Sequence, residues 1–195
     1  MHSRRCPATH ATVETNQVPL GGAGNILPLV RELVFIVNVS SGGRRGASLL
    51  ARLQQTFAPD RVHPFAVSHL DAIVARATDD GSAVIACGGD GTVAAVLASA
   101  HRCARADREA PVGIIPLGTG NDLARTLGWF TAGPLILASL RSAPVRRLDR
   151  WTFSGGDGSR AWFNYCSFGY DARVAQRFHA VRDHHPYLFR ATMLN

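Results

Sequence analysis

A glycine-rich stretch with a single acid, Gly88-Gly89-Asp90-Gly91-Thr92, carries residues that could hold a phosphate. It follows a short apolar run, 83–87, and precedes a helix that is expected to begin at Thr92. A strand, a glycine turn and a helix in this order bring backbone N–H groups to a phosphate, and glycine permits close approach. Because a carboxylate repels a phosphate unless a cation lies between them, Asp90 predicts a Mg²⁺–nucleotide site rather than a plain anion pocket.

A second glycine turn follows another short apolar run, 112–116, and reads Leu117-Gly118-Thr119-Gly120-Asn121-Asp122. Asp122 stands at the start of the next predicted helix, where an acid could simply stabilise the N-terminus. Two such turns, each after a buried strand and each with an acid, make coincidence a weaker explanation. Since the carboxyl ends of parallel strands open onto one crevice, we expect the two turns to face the same ligand.

The elements that must position these turns alternate between strand and helix, which predicts an α/β fold with a parallel sheet. Residues 33–37 are continuously apolar, as is typical of a strand buried on both faces. A loop rich in glycine and hydroxyl groups leads from Asn38 to a helix over 47–57. A weaker strand, 62–67, precedes a helix for which Ser68 is the expected N-cap.

The last third of the chain has a different pattern. Two aromatic runs, 151–153 and 161–165, are expected to pair as strands around Gly155-Gly156-Asp157-Gly158. That turn repeats the letters of the first motif, but no helix follows it, so it is interpreted as a hairpin. Residues 171–183 predict an amphipathic helix with Val174, Phe178 and Val181 on one side.

The composition narrows the class of protein. The net charge is +7. The chain has 21 arginines and no lysine, which excludes a lysine-containing P-loop and Schiff-base chemistry. That charge favours phosphates or acidic lipid surfaces; no motif supports a nucleic-acid partner. The four cysteines are too widely spaced to suggest a zinc site.

Neither a membrane-spanning run nor a secretory leader is evident, so we expect a cytoplasmic protein with peripheral membrane contact.

The two glycine turns, in this order and at this spacing, resemble the catalytic domain of the diacylglycerol kinase family. That family includes sphingosine and ceramide kinases and bacterial lipid kinases. Residues 123–129, the later stretch 164–172 and Arg177-Phe178-His179 are most similar to the diacylglycerol kinases of animals and plants. The resemblance extends over about residues 33–195. The first turn alone is shared with NAD kinases, whereas the pair of turns is specific.

The resemblance implies a three-layer, parallel-sheet nucleotide-binding domain followed by the beginning of a β-rich second domain. We therefore expect a disordered or linker N-terminus over 1–31, a catalytic ATP-binding domain over 32–148 and an incomplete accessory domain over 149–195. In relatives the second domain continues well beyond this length. It also carries the residue proposed to activate the lipid hydroxyl, so the sequence predicts the phosphate-binding half of an active site.

The resemblance also implies the site residues and the cofactors, ATP and Mg²⁺. Asp90 and Asp122 are the implied catalytic acids, and Asp90 is the implied metal ligand. The family's first loop reads Asn-Pro-x-Ser-Gly; here Val39 replaces the proline, so the loop loses rigidity but no chemical group. The implied ATP- and phosphate-binding residues are Asn38, Ser41, Gly42, Ser68, Gly88, Gly89, Asp90, Gly91, Thr92, Gly118, Thr119 and Asn121.

The expected function is an ATP-dependent lipid kinase that transfers the γ-phosphate to the hydroxyl of diacylglycerol and yields phosphatidic acid. Its expected partners are ATP, a diacylglycerol-like lipid and the membrane surface. Two alternatives stay open: a truncated fragment that binds nucleotide without turnover, and a sphingosine/ceramide-type or NAD kinase-like enzyme. The stretch from Gly118 to Arg125 argues against the NAD kinase alternative. The sequence names neither the lipid nor the oligomeric state.

Overall fold

The computed structural model describes residues 12–15, 32–43, 45–129, 136–143, 145–155, 158–167 and 169–184. They fall into two units. The smaller unit comprises Met1–Asn25 and Arg146–Cys166, and the larger comprises Ile26–Val145 and Ser167–Asn195.

Strands and helices alternate along the larger unit, as the sequence pattern predicted. The strands of the chain are β1 (Thr12–Thr15), β2 (Leu33–Val37), β3 (Val62–Pro64), β4 (Ala83–Gly88), β5 (Val112–Pro116), β6 (Trp151–Gly155) and β7 (Gly158–Trp162). The α-helices are α1 (Arg45–Thr56), α2 (Val67–Asp80), α3 (Asp90–Cys103), α4 (Asp122–Thr126), α5 (Ile136–Ser142) and α6 (Tyr170–His184). One turn of 3₁₀ helix, Pro59–Arg61, precedes β3.

The larger unit contains a four-stranded parallel sheet with the strand order β3-β2-β4-β5. Strand β2 pairs with β4 from Leu33↔Ala83 to Val37↔Cys87, and β4 pairs with β5 up to Gly88↔Pro116. All five residues of β2 are buried. The prediction of a parallel α/β sheet with a strand buried on both faces is therefore confirmed.

Side chains that alternate along the strands build a hydrophobic core on each face of this sheet. One face packs against α2 and α3, and the other against α1 and α5, so the unit has three layers. Continuous apolar strands need this cover because both of their faces must be removed from water. The first core includes Val34, Ile36, Val74, Val84 and Val96, and the second includes Phe35, Val37, Leu53, Ile85 and Leu140.

Two helices begin earlier than the sequence predicted. Helix α1 begins at Arg45 rather than 47, and α3 begins at Asp90 rather than Thr92. At α3 the N-cap is Gly89, whose backbone is extended (φ −90°, ψ −176°), and its carbonyl oxygen accepts the N–H of Val93. The acid of the first glycine motif is therefore the first residue of the helix.

The prediction that Ser68 caps α2 is wrong. The N-cap is Ala66, which is extended (φ −143°, ψ 122°) and makes no side-chain cap hydrogen bond. Because the chain already turns helical at Val67, Ser68 lies inside the first turn, where it is exposed.

The smaller unit contains an antiparallel sheet with the strand order β1-β6-β7. Strands β6 and β7 pair from Trp151↔Trp162 to Gly155↔Gly158, so the predicted hairpin is confirmed. Strand β1 pairs with β6 from Thr12↔Ser154 to Thr15↔Trp151. The linker interpretation of residues 1–31 is thus corrected for Thr12–Thr15, which gain order from the backbone of β6; the rest of that stretch before residue 32 lies outside the described residues.

The predicted amphipathic helix over 171–183 is present as α6. The side chains of Val174, Phe178 and Val181, which share its apolar side, remain 50%, 44% and 46% exposed. None of the helices in the described part of the chain is long and apolar enough to cross a membrane.

Helices α2 and α3 are joined at Asp71. Its carboxylate accepts hydrogen bonds from Arg102 (2.6 and 3.1 Å) and from the buried hydroxyl of Ser99 (2.6 Å). The hydrogen bond from Arg102, and then that from Ser99, hold the pKa of the Asp71 carboxyl below its usual value. The pair fixes the two helices that cover one face of the sheet.

Truncation of Val96 tests the core on that face. The side chain is 0% exposed, whereas Val67, on the neighbouring helix, is 74% exposed. We expect Val96→Ala to lower the free energy of unfolding by about 2–3 kcal/mol, because it removes methyl groups and leaves a cavity. Val67→Ala should change it by less than about 0.5 kcal/mol. Chemical denaturation of both variants measures the difference; equal effects would contradict the assigned packing.

The Asp71–Arg102 pair predicts a pH dependence. A carboxyl with a lowered folded-state pKa stabilises the fold above its unfolded pKa of about 3.9, and this contribution is lost as the pH falls through the folded pKa. Both side chains are more than half exposed, so the contribution is at most about 1 kcal/mol. We expect Arg102→Gln to be less stable than the wild type at pH 7, and the gap to shrink below about pH 4. A gap that widens on acidification would contradict this assignment.

Candidate active site

Three segments meet at the carboxyl edge of the parallel sheet. The first loop (38–43) follows β2, the second (88–91) joins the end of β4 to the start of α3, and the third (117–121) follows β5. These strands are neighbours in the sheet, so their carboxyl ends lie side by side. The N–H of Asn38 donates to the carbonyl oxygen of Cys87 at 2.9 Å, and that of Leu117 donates to the carbonyl oxygen of Gly88 at 2.9 Å. The strand ladder thus continues into the loops, and the two predicted glycine turns adjoin the same crevice.

Glycine is required where these loops touch. A Cβ atom on Gly118 would lie 2.5 Å from the Cα atom of Gly89. One on Gly42, whose φ is +62°, would lie 2.5 Å from the carbonyl oxygen of Leu117. Neither contact leaves room for a side chain, so the loops pack backbone against backbone.

The start of α3 supplies unused hydrogen-bond donors. The N–H groups of Thr92 and Val93 donate to the carbonyl oxygen of Gly89, at 3.0 and 3.1 Å. Within the described residues, no acceptor takes the N–H groups of Gly89, Asp90 or Gly91. These donors stand at the positive end of a 14-residue helix, a position that attracts anions.

The two acids predicted to be catalytic both lie close to Gly120. One Asp90 oxygen, Oδ1, accepts the N–H of Leu123 at 3.1 Å. The other, Oδ2, lies 3.2 Å from the point that a Cβ of Gly120 would occupy, and both carboxylate oxygens of Asp122 lie 3.6 Å from the same point. The fold therefore brings together two carboxylates from different turns of the sequence.

Asn121 has a conformation that the sequence did not reveal. It is left-handed (φ 52°, ψ 42°), which asparagine tolerates better than most side chains. Its Nδ2 donates to the carbonyl oxygen of Gly118 at 2.6 Å, and its Oδ1 is buried with no partner among the described residues. The side chain thus closes the third loop and leaves one buried acceptor at the site.

Asn38 and Thr92, both predicted to bind phosphate, contact each other. The Asn38 Nδ2 donates to Thr92 Oγ1 at 2.9 Å. Thr92 is only 4% exposed, and its side chain fills the space beside Gly88, where a Cβ would lie 2.5 Å from Oγ1. Their assignment to phosphate remains a prediction, but the structure gives the two side chains a mutual contact.

The other predicted residues differ in how close they lie to this crevice. Ser41, Gly42 and Thr119 belong to the first and third loops, and Thr119 is exposed. Ser68 makes no hydrogen bond to the loops within the described residues, so nothing in its surroundings links it to the site. Cys87, just before Gly88, is fully buried, and burial raises the pKa of its thiol, so it stays protonated and is no nucleophile.

One basic residue was not assigned from the sequence. The guanidinium of Arg45, at the start of α1, lies 3.5 Å from the carbonyl oxygen of Pro116, and its Cβ lies 3.4 Å from the Cβ position of Gly42. Its side chain therefore lies beside Gly42 of the first loop and contacts the end of β5. The signal for it was the basic pair directly after the glycines of the first loop.

Comparison with known proteins identifies the family of the chain. The family model of the diacylglycerol kinase catalytic domain matches residues 32–153, and that of the diacylglycerol kinase accessory domain matches residues 161–195. The chain therefore belongs to the diacylglycerol kinase family, as the two glycine turns indicated.

Similar proteins occur in animals and plants. Diacylglycerol kinase iota of Homo sapiens is 33% identical over 190 residues, covering 86% of this chain and 18% of that protein. The eye-specific diacylglycerol kinase of Drosophila melanogaster is 34% identical over 192 residues (86% and 13%). Diacylglycerol kinase 2 of Arabidopsis thaliana is 33% identical over 194 residues (86% and 26%). The chain thus spans about a quarter or less of these relatives.

A solved structure is also similar. A protein from Bacillus anthracis str. Sterne described as a diacylglycerol kinase is 24% identical, with a TM-score of 0.40, and the match covers 52% of this chain and 37% of that one.

Substitution of Gly118 tests the close approach of the loops. We expect Gly118→Ala to lower the free energy of unfolding by about 1–3 kcal/mol, because the added methyl group collides with the Gly89 backbone. Gly91→Ala is the matched control for stability: its Cβ meets nothing within 4 Å, and alanine favours the helix. Thermal and chemical denaturation compare the two. A Gly118→Ala protein as stable as Gly91→Ala would show that the loops do not touch in this way.

Proposed function

We propose that this chain is the catalytic module of an ATP- and Mg²⁺-dependent diacylglycerol kinase. It would transfer the γ-phosphoryl group of ATP to the hydroxyl of diacylglycerol and give phosphatidic acid. The observation that carries the proposal is that Asp90 and Asp122 lie close to the same point beside Gly120. Asp90 also begins the helix whose first N–H groups have no acceptor among the described residues. Membership of the diacylglycerol kinase family supports the choice of lipid substrate.

The donor set fits magnesium. Mg²⁺ prefers hard oxygen ligands and is usually held by one or two carboxylates together with phosphate oxygens and water. Asp90 Oδ2 and the Asp122 carboxylate supply such oxygens close to Gly120. No group of three or more His, Cys, Asp or Glu side chains forms a metal site within the described residues. Two carboxylates therefore suit a metal that shares its ligands with a nucleotide.

The backbone supplies the phosphate contacts. The N–H groups of Gly89, Asp90 and Gly91, with the helix dipole behind them, stabilise negative charge on phosphate oxygens. The Leu123 N–H fixes the Asp90 carboxylate, so this acid keeps its orientation when a charged ligand arrives. Magnesium, when bound, neutralises charge on the phosphate oxygens. Phosphoryl transfer depends on such positioning and neutralisation.

We assign these residues to nucleotide positioning and assign none to the activation of the lipid hydroxyl. Because diacylglycerol is a membrane lipid, the reaction would take place at a membrane surface. We therefore propose a cytoplasmic protein that associates peripherally with the membrane. The net charge of +7 supports this, because each arginine near an acidic lipid surface contributes about 1 kcal/mol to binding. Arg146, Arg147 and Arg160, three exposed residues of the smaller unit, are candidates for that contact.

Asp90→Asn tests the proposed role of the acid. Asparagine keeps an oxygen that can accept the Leu123 N–H, so the melting temperature should change little. We expect Mg²⁺-dependent phosphorylation of diacylglycerol in mixed micelles, measured with labelled ATP, to fall at least about 100-fold. Asp107→Asn, an exposed acid outside the site, is the control with the same charge change.

The same assay separates the alternatives. Full activity of Asp90→Asn would rule out its metal role. If the wild-type chain binds ATP in calorimetry but phosphorylates no lipid, nucleotide binding is supported and catalysis by this chain is refuted. Diacylglycerol, sphingosine and NAD offered in parallel would show which acceptor is used.

A further inference from the structure

The contact between Asn38 and Thr92 joins the first loop to the start of α3, across 54 residues of sequence. We infer that Asn38 is a positioning residue: it acts on the nucleotide through Thr92, by fixing the first loop (38–43). This inference rests on the proposed nucleotide site and changes the role that the sequence suggested for both side chains.

The polar groups of Asn38 are already engaged within the protein. Its Nδ2 donates to Thr92 Oγ1 at 2.9 Å, and its Oδ1 accepts the N–H of Ser40 at 3.0 Å. Its backbone N–H donates to the carbonyl oxygen of Cys87 at 2.9 Å, and its own carbonyl oxygen accepts the N–H of Ser41 at 3.1 Å. Oδ1 cannot contact a phosphate because both groups are acceptors, and one of the two Nδ2 hydrogens is taken by Thr92, so the protein itself holds this side chain in place.

Thr92 is placed to transmit this contact but not to touch a ligand. It is 4% exposed, its N–H donates to the carbonyl oxygen of Gly89, and its Oγ1 receives Asn38. The side chain packs against Gly88, where an added Cβ would lie 2.5 to 2.8 Å from three of its atoms. Asn38 is therefore bonded to the first turn of the helix whose N–H groups face the site.

The first loop in turn affects the other parts of the site. The carbonyl oxygen of Asn38 packs directly against Gly46, in the first turn of α1, where an added Cβ atom would collide with it. Gly42 packs against the carbonyl oxygen of Leu117, at the base of the third loop. Loss of the Asn38–Thr92 hydrogen bond should therefore loosen the first loop and lower nucleotide affinity, although no group that touches the nucleotide is removed.

A double-mutant cycle on MgATP binding tests the inference. Thr92→Val keeps the buried volume and removes the hydroxyl; Thr92→Ser keeps the hydroxyl. We expect Thr92→Val and Asn38→Ala each to raise the Kd for MgATP about fivefold to tenfold, as the loss of one hydrogen bond allows. The double variant should be no weaker than the weaker single variant, and Thr92→Ser should stay within about twofold of the wild type. Isothermal calorimetry well below each melting temperature supplies the Kd.

A second readout does not depend on the nucleotide. Amide hydrogen exchange of residues 40–43 in the ligand-free protein should be faster in Thr92→Val than in Thr92→Ser, because the loop opens more often. If Asn38→Ala does not fold, this comparison and the two Kd values of the threonine variants decide the question.

Three results would overturn the inference. A much larger loss for Asn38→Ala than for Thr92→Val, additive in the double variant, would mean that Asn38 binds the nucleotide directly. A lower melting temperature with an unchanged Kd in Thr92→Val would make the hydrogen bond purely structural. A wild-type chain that binds no MgATP would refute the proposed nucleotide site and this inference with it, whereas either of the first two results leaves that site intact.

Discussion

Three backbone segments approach one another at the carboxyl edge of the parallel sheet with no side chain between them. A Cβ atom on Gly118 would lie 2.5 Å from Gly89, and one on Gly42 would lie 2.5 Å from the carbonyl oxygen of Leu117. This close packing depends on the strand order β2-β4-β5, which sets the three loops side by side. Everything else at the site follows from it, because donors and acids from separate loops converge only while the backbones touch.

Electrostatics explains what such a crevice can accept. The free N–H groups and the dipole of α3 favour an anion, whereas Asp90 and Asp122 repel it. Both demands are met together by a phosphate that arrives with a divalent cation. The hydrogen bond from the Leu123 N–H holds Asp90 toward Gly120 rather than away from it. This electrostatic balance is the basis of the metal–nucleotide site that we propose.

Some elements of the fold depend on residues that are distant in the sequence, and these could not be predicted from local patterns. Strand β1 has four residues, too few for a periodic signal, and it is a strand because β6 offers a backbone to pair with. Ser68 is a good capping residue by type, yet the N-cap of α2 lies two residues earlier, at Ala66, whose backbone is extended. The apolar side of α6 was identified correctly, but its exposure could not be inferred from spacing alone.

Three features could be predicted from the chain alone, because they rest on residues adjacent in sequence: the alternation of strand and helix, the two glycine turns with their acids, and the diacylglycerol kinase family. The fold, in contrast, was needed to show that Asp90 accepts the N–H of Leu123, 33 residues away, and that Asn38 donates to Thr92, 54 residues away. It also decided the left-handed backbone of Asn121. Such contacts depend on which strands are neighbours in the sheet and on how closely their loops pack, and neither is written in the local pattern of side chains.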